Sequence, residues 1–130
     1  MQRTWWRVKC VENLQMLLDA GADPNHVHRF GYVALHDLAQ CGFDTEEERL
    51  AFAEPLLKSG AKLTKRDTFF EATPLGWACR YGRLELAQRL VKAGAPVNEP
   101  DAPDWATPLA WAERMEHEEI VEYLKSQGAQ

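Results

Sequence analysis

The chain has 130 residues, enough for one domain with little apolar content to spare, and its 15 Lys and Arg against 20 Asp and Glu leave it mildly acidic. That balance works against the broad phosphate attraction behind nucleic-acid binding, so neither DNA nor RNA is the expected partner. No apolar run is long enough to cross a membrane, the N-terminal residues lack a secretory signal, and Cys10, Cys41 and Cys79 lie far apart with no Cys-x-x-Cys spacing; a soluble, cytoplasmic, monomeric protein with reduced thiols is expected.

In chain order, the first element is a helix from Val11 to Ala20, preceded by Trp5 and Trp6 and closed by Gly21-Ala22-Asp23-Pro24-Asn25. A polar segment then carries His26, His28, Arg29, Phe30 and Tyr32 to Val33-Ala34-Leu35-His36, where a short helix bearing Asp37 and Gln40 begins. Beyond Cys41, the run Phe43-Asp44-Thr45-Glu46-Glu47-Glu48 reads as a loop feeding a helix from Glu46 to Ser59. Thr45 is placed to cap that helix, and the three glutamates suit the positive end of its dipole. Pro55 falls inside it and is expected to kink or interrupt it, since proline lacks an N–H and its ring crowds the preceding turn.

After Gly60-Ala61 comes a second polar segment with Lys65, Arg66, Phe69 and Phe70, and then Thr73-Pro74-Leu75-Gly76 opens the clearest unit. Thr73 is placed to cap a helix whose first position takes Pro74, where the missing N–H costs nothing, and Gly82 supplies the left-handed backbone that ends it. The next helix, Leu84 to Ala93, sets Leu86, Ala87, Leu90 and Val91 on one face, opposite Glu85, Arg89 and Lys92, and the apolar face needs a neighbour to cover it. The pattern recurs through Gly94-Ala95, a third polar segment with Asp101, Asp104 and Trp105, and Thr107-Pro108-Leu109-Ala110. A last helix turns Ile120, Val121 and Leu124 inward and Glu118, Glu119 and Glu122 outward.

Two landmarks therefore alternate: Gly-Ala begins at residues 21, 60, 94 and 128, with last intervals of 34 residues and a first of 39, and the helix-opening motif keeps step at 33, 73 and 107. A period of this length marks a stacked repeat. The Thr-Pro-Leu starts, the mid-unit Gly82 and the complete Gly21-Ala22-Asp23-Pro24-Asn25 end resemble the ankyrin repeats over essentially residues 10 to 130. The resemblance implies an all-α ankyrin-repeat solenoid of helix-turn-helix units joined by β-finger loops, about three units plus an N-terminal half-unit. Within one domain, 1–130, it places a half-unit at 1–25, a unit with an insertion near 43–48 at 26–64, a unit at 65–98 and a C-terminal capping unit at 99–130. Trp5 and Trp6 then stand where small residues belong, either as a makeshift cap or as the mark of a longer stack.

Departures from the family pattern carry expectations of their own. The His of the start motif is kept at His36 alone, with Gly76 and Ala110 in its place elsewhere, so the inter-unit hydrogen bond it would make is in doubt in those copies. Glu116 stands where the mid-unit Gly belongs, which predicts a last inner-to-outer turn that is less tight or differently shaped.

Ankyrin stacks bind partners through the finger tips and the free side of the inner helices. Carried over position by position, that surface takes Phe30 and Tyr32 beside Arg29 from the first finger, Lys65, Arg66, Phe69 and Phe70 from the second, and Trp105 beside Asp101 and Asp104 from the third. The inner helices add Trp77, Arg80, Tyr81, Trp111 and Arg114, with Asp37 and Gln40. Aromatic and Arg side chains dominate interface energetics, so the resemblance implies a non-catalytic module for a protein partner. Phe69 and Phe70, adjacent in a strand-like finger, should face opposite ways.

Two rival readings come from other classes. One is a scaffold or regulatory piece of a larger chain that positions or inhibits an attached enzyme. The other is a metal or catalytic site around His26, His28 and His36, with Asp37 and Cys41 nearby. His36 is already explained by the start motif, no catalytic signature surrounds Cys41, and no metal, other cofactor or enzymatic activity is expected.

Overall fold

Short helices opened by a capping residue alternate with helices that carry one apolar face, and the two kinds pack into separate layers. The computed structural model describes residues 12–27, 31–43 and 45–130. The helices among them are α1 (residues 12–19), α2 (Ala34–Gln40), α3 (Glu46–Lys58), α4 (Pro74–Arg80), α5 (Leu84–Lys92), α6 (Pro108–Arg114) and α7 (Glu118–Ser126), with no strand among the described residues. Helices α2, α4 and α6 pack side by side as an inner row; α3, α5 and α7 form an outer row, each against its own inner partner. Trp5 and Trp6 lie outside the described residues.

The inner helices start as their sequences require. Thr73 Oγ1 accepts the Gly76 N–H at 3.3 Å and Thr107 Oγ1 accepts the Ala110 N–H at 3.1 Å, each with proline in the first turn. Val33 has no hydroxyl, and there His36 reaches back so that Nδ1 accepts the Val33 N–H at 3.0 Å. Between the layers, Leu86, Leu90, Ile120 and Leu124 are completely or almost completely buried, and burial of each such side chain contributes roughly 1.5–3 kcal/mol.

The inserted residues lengthen an outer helix. Helix α3 has 13 residues where α5 and α7 have 9, Thr45 Oγ1 accepts the Glu48 N–H at 3.2 Å, and Glu46, Glu47 and Glu48 fill its first turn. Two expectations need correction. Pro55 does not interrupt α3: it lies in the penultimate turn, and the carbonyl its missing N–H would have bonded belongs to Ala51, an exposed residue where water can serve. Nor does Glu116 reshape the last turn. It adopts a left-handed φ of 60°, as Gly82 does at 73°, and an equivalent bond closes each turn: Arg83 N–H to Ala78 O at 2.8 Å in the one and His117 N–H to Ala112 O at 3.0 Å in the other.

The described finger residues are tied largely by side chains. Asp67 is buried and holds the second finger: its Oδ2 accepts the N–H groups of Phe69 and Phe70, both at 2.8 Å, and its Oδ1 accepts the Ala72 N–H at 3.0 Å. Finger bases are joined by asparagines. Asn25 donates to Gly60 O and accepts from the Lys62 N–H, and Asn98 likewise donates to Gly128 O and accepts from the Gln130 N–H.

Candidate binding surface

The second finger and the inner row meet in a continuous run of rings. Trp77 Nε1 donates at 2.8 Å to Asp67 Oδ1, the oxygen that also accepts from Ala72, which fixes the indole of α4 beneath the finger. Around it stand Tyr32 at 5.5 Å, His36 at 5.1 Å, Phe70 at 5.4 Å and Tyr81 at 5.9 Å between ring centroids. Phe70 in turn meets Trp111 edge-on at 5.2 Å, and Trp111 meets Trp105 at 6.3 Å, so the run crosses from α2 to the third finger. Cations lie on top: the Arg80 guanidinium sits 4.2 Å from the Phe70 centroid and 5.4 Å from that of Trp111, and the Arg114 guanidinium 4.5 Å from Trp111.

This arrangement sorts the candidate residues. Trp77 and Trp111 are corrected: at 2 % and 5 % exposure they form the floor of the run, because their rings fill the joints between neighbouring inner helices, and neither offers its face to solvent. Phe69 and Trp105 are exposed at 57 % and 44 %, and Lys65 and Arg114 are also exposed. Tyr32, Arg66, Phe70, Arg80 and Tyr81 are half-buried. Phe69 and Phe70 do diverge, but through the Asp67 loop and not through strand alternation. Phe30, with His28 and Arg29, lies outside the described residues. Arg66 is turned toward Glu99, whose carboxylate lies 3.7 Å away. Glu99 itself is buried, accepting the Thr73 hydroxyl at 2.7 Å; burial pushes its carboxyl up, against the pull of Thr73 and Arg66.

Sequence reasoning missed the groups that hold the inner helices in place. Arg83 opens α5 and donates to Ala39 O of α2 at 2.9 Å; one period later His117 opens α7, and its Nε2 lies 3.0 Å from Arg80 O of α4. A donor at the start of each of these outer helices thus serves the C-terminal carbonyls of the inner helix of the preceding unit. Arg49 does this within its own unit: almost fully buried, it donates to the carbonyls of Leu38 and Cys41, pairs with Glu46 at 2.9 Å and lies over the Phe43 ring. The signal was available in the matching places of Arg83 and His117 after each mid-unit turn.

His36 is buried with both nitrogens engaged, Nδ1 accepting from Val33 and Nε2 donating to Ala72 O at 2.9 Å, and burial lowers its pKa. No group of three or more His, Cys, Asp or Glu suited to a metal ion occurs among the described residues. Cys79 is buried in the core, which raises its thiol pKa far above the ordinary value, and no described helix is long and apolar enough to cross a membrane.

A stack of paired helices joined by polar fingers, with its inner row lined by rings, defines a helical-repeat protein. The family model for ankyrin repeats (3 copies) matches residues 45–130, and the chain belongs to the ankyrin-repeat family. Members of that family are generally protein-interaction modules and are typically non-catalytic. No curated protein matches the chain.

Proposed function

We propose that this chain is a non-catalytic module that holds a protein partner along the finger tips and inner helices. The observation that supports this best is the exposure of Phe69 and Trp105 at two points of a ring system whose other members are buried or half-buried. An isolated exposed apolar residue is ordinary, but two large aromatics on a preformed ring platform, with Arg80 and Arg114 stacked between, have the composition of an interface hot spot. Phe69, Trp105, Arg80 and Arg114 make the direct contacts, Lys65, Arg66, Tyr32 and Tyr81 form the rim, and Phe70, Trp77 and Trp111 support them from below.

The test is capture from a lysate of the source organism, with the wild type beside Phe69→Ala/Trp105→Ala. The expected result is a protein retained by the wild type and lost by the variant, while helical circular dichroism and Tm stay close to wild type. Identical captures, or none, would count against this surface.

A further inference from the structure

We infer that the partner presents a carboxylate, an Asp or Glu side chain next to an apolar one, to the guanidinium groups of Arg80 and Arg114 on either side of the Trp111 contact. The inference rests on the proposed binding surface and names what it recognises. Other arginines of the described chain already have an acceptor or a paired carboxylate: Arg49 has Glu46, Arg89 has Glu54 and Arg83 has the Ala39 carbonyl, while Arg66 lies 3.7 Å from the Glu99 carboxylate without a hydrogen bond at its Nε. Arg80 has none. Its contacts are the rings of Phe70, Tyr81 and Trp111, and its Nε is buried without a hydrogen-bond partner, as is Nε1 of the adjacent Trp111. Arg114 spends one Nη on the Trp105 carbonyl at 3.0 Å and pairs with no carboxylate. The patch therefore holds donors and positive charge in excess of acceptors, and the missing element is an anionic oxygen.

Geometry favours a carboxylate over a looser counter-ion. Both guanidinium carbons lie near one indole, so the two charges are no more than about 10 Å apart, comparable with the Debye length, and act together on an anion between them. Rings beneath Arg80 fix the plane of its fork and so reduce the freedom lost when a planar carboxylate binds in bidentate fashion. A phosphate polymer is disfavoured, since the chain carries a net charge of -5 and Asp101 and Asp104 are exposed in the adjoining finger. Phe69 and Trp105 are exposed next to Phe70 and Trp111, the rings that carry the cations, which is why the acidic residue should come with an apolar neighbour.

The experiment is selection of a displayed library of random peptides, each about twelve residues long, on the immobilised full chain. Wild type should enrich peptides that pair Asp or Glu with Leu, Ile, Phe or Trp. Arg80→Gln/Arg114→Gln should lose the acidic preference and keep the apolar one, while Lys125→Gln, on the exposed side of α7, should select as wild type does. For one enriched peptide, changing its acid to the amide should weaken binding to wild type by about tenfold or more and leave binding to the double variant unchanged. The peptide-side change carries the test alone if the double variant fails to fold by circular dichroism. Enriched peptides without an acid, or an acid whose loss does not matter, overturn the inference while the binding surface stands, provided Phe69→Ala/Trp105→Ala loses them. Pools that are identical for wild type and Phe69→Ala/Trp105→Ala, or no enrichment, overturn both. Tight binding of a short oligouridylate that vanishes in Arg80→Gln/Arg114→Gln overturns it in favour of phosphate.

Discussion

The joint between α2 and α4 and the joint between α4 and α6 do the same work with different atoms. At the first, His36 spans from the Val33 N–H to the Ala72 carbonyl, and Arg83 reaches the Ala39 carbonyl. At the second, Gly76 has no side chain to offer; Thr73 accepts from its N–H and donates to the buried carboxylate of Glu99, and His117 at Arg80 O replaces Arg83. What recurs is the place that must be bridged, and residues of different chemistry fill it. At the copy with Gly76 in place of His, the capping threonine thus makes the link between units. The exchange has an electrostatic consequence: the first joint buries a neutral ring whose pKa is lowered, the second a carboxyl whose pKa is raised.

The largest expected effect breaks both joints together. Leu90 of α5 is fully buried in the outer row between α3 and α7, and Leu90→Ala should cost about 2–5 kcal/mol in urea unfolding. A cost near zero would mean that α5 does not face the stack in this way. Gly82→Ala strikes the second joint alone. Its φ is left-handed, and a Cβ there would lie 2.7 Å from His117 Cε1, so the His117 bond to Arg80 O must give way as well as the backbone strain, of about 1–2 kcal/mol, being accepted. The combined Gly82→Ala/His117→Ala variant should lose less than the two single changes together; strict additivity would show that ring and glycine are not coupled.

The first joint is the one sensitive to mild acid. Burial lowers the His36 pKa; the Ala72 hydrogen bond, Asp67 and the Lys65 backbone oppose that, and the Lys65 charge adds to it. The unfolded chain therefore takes up a proton before the folded one does, so His36 stabilises fully above its ordinary value of 6.5 and loses that stabilisation as pH falls below it. Denaturation at pH 7.5 and pH 5.5 should show a loss in the wild type that is smaller in His36→Gln. Glu99, raised, works in the opposite sense and declines as a stabiliser with rising pH, and its presence in both proteins leaves the difference to His36. Equal losses would indicate that the folded chain takes up the proton on His36 as readily as the unfolded chain does.

How much of this was legible follows from the range of each interaction. Caps at Thr45, Thr73 and Thr107, the helix pairs and the repeat depend on neighbours within a few residues, and the sequence displays them directly. Asp67 was half legible: an Asp before a turn announces local bonds to the backbone, but its fourth donor, Trp77 Nε1, comes from the next helix. Trp77 and Trp111 were misplaced because position within the repeat fixes which way a side chain leaves the backbone, and says nothing of whether large neighbours such as Tyr32 and Phe70 will close over it. Arg49 was illegible for a related reason, and Arg83 and His117 showed only as matching places: polar residues in a helix's first turns look solvated until the carbonyls of another helix are brought to them.

The mildest prediction isolates backbone strain from everything else. Glu116 holds the same left-handed turn as Gly82, yet its side chain is exposed and makes no bond that the turn requires. Against the cost of that conformation for a residue with a Cβ, about 1–2 kcal/mol, stands the extra unfolded-state freedom of glycine, roughly 0.5–1 kcal/mol. Glu116→Gly should therefore stabilise by about 0.5–1 kcal/mol and raise Tm by a few degrees, the opposite sign to Gly82→Ala at the equivalent place. Destabilisation in Glu116→Gly would mean that the last turn does not use the left-handed backbone, and that the two turns, alike in their hydrogen bonds, are reached by different routes.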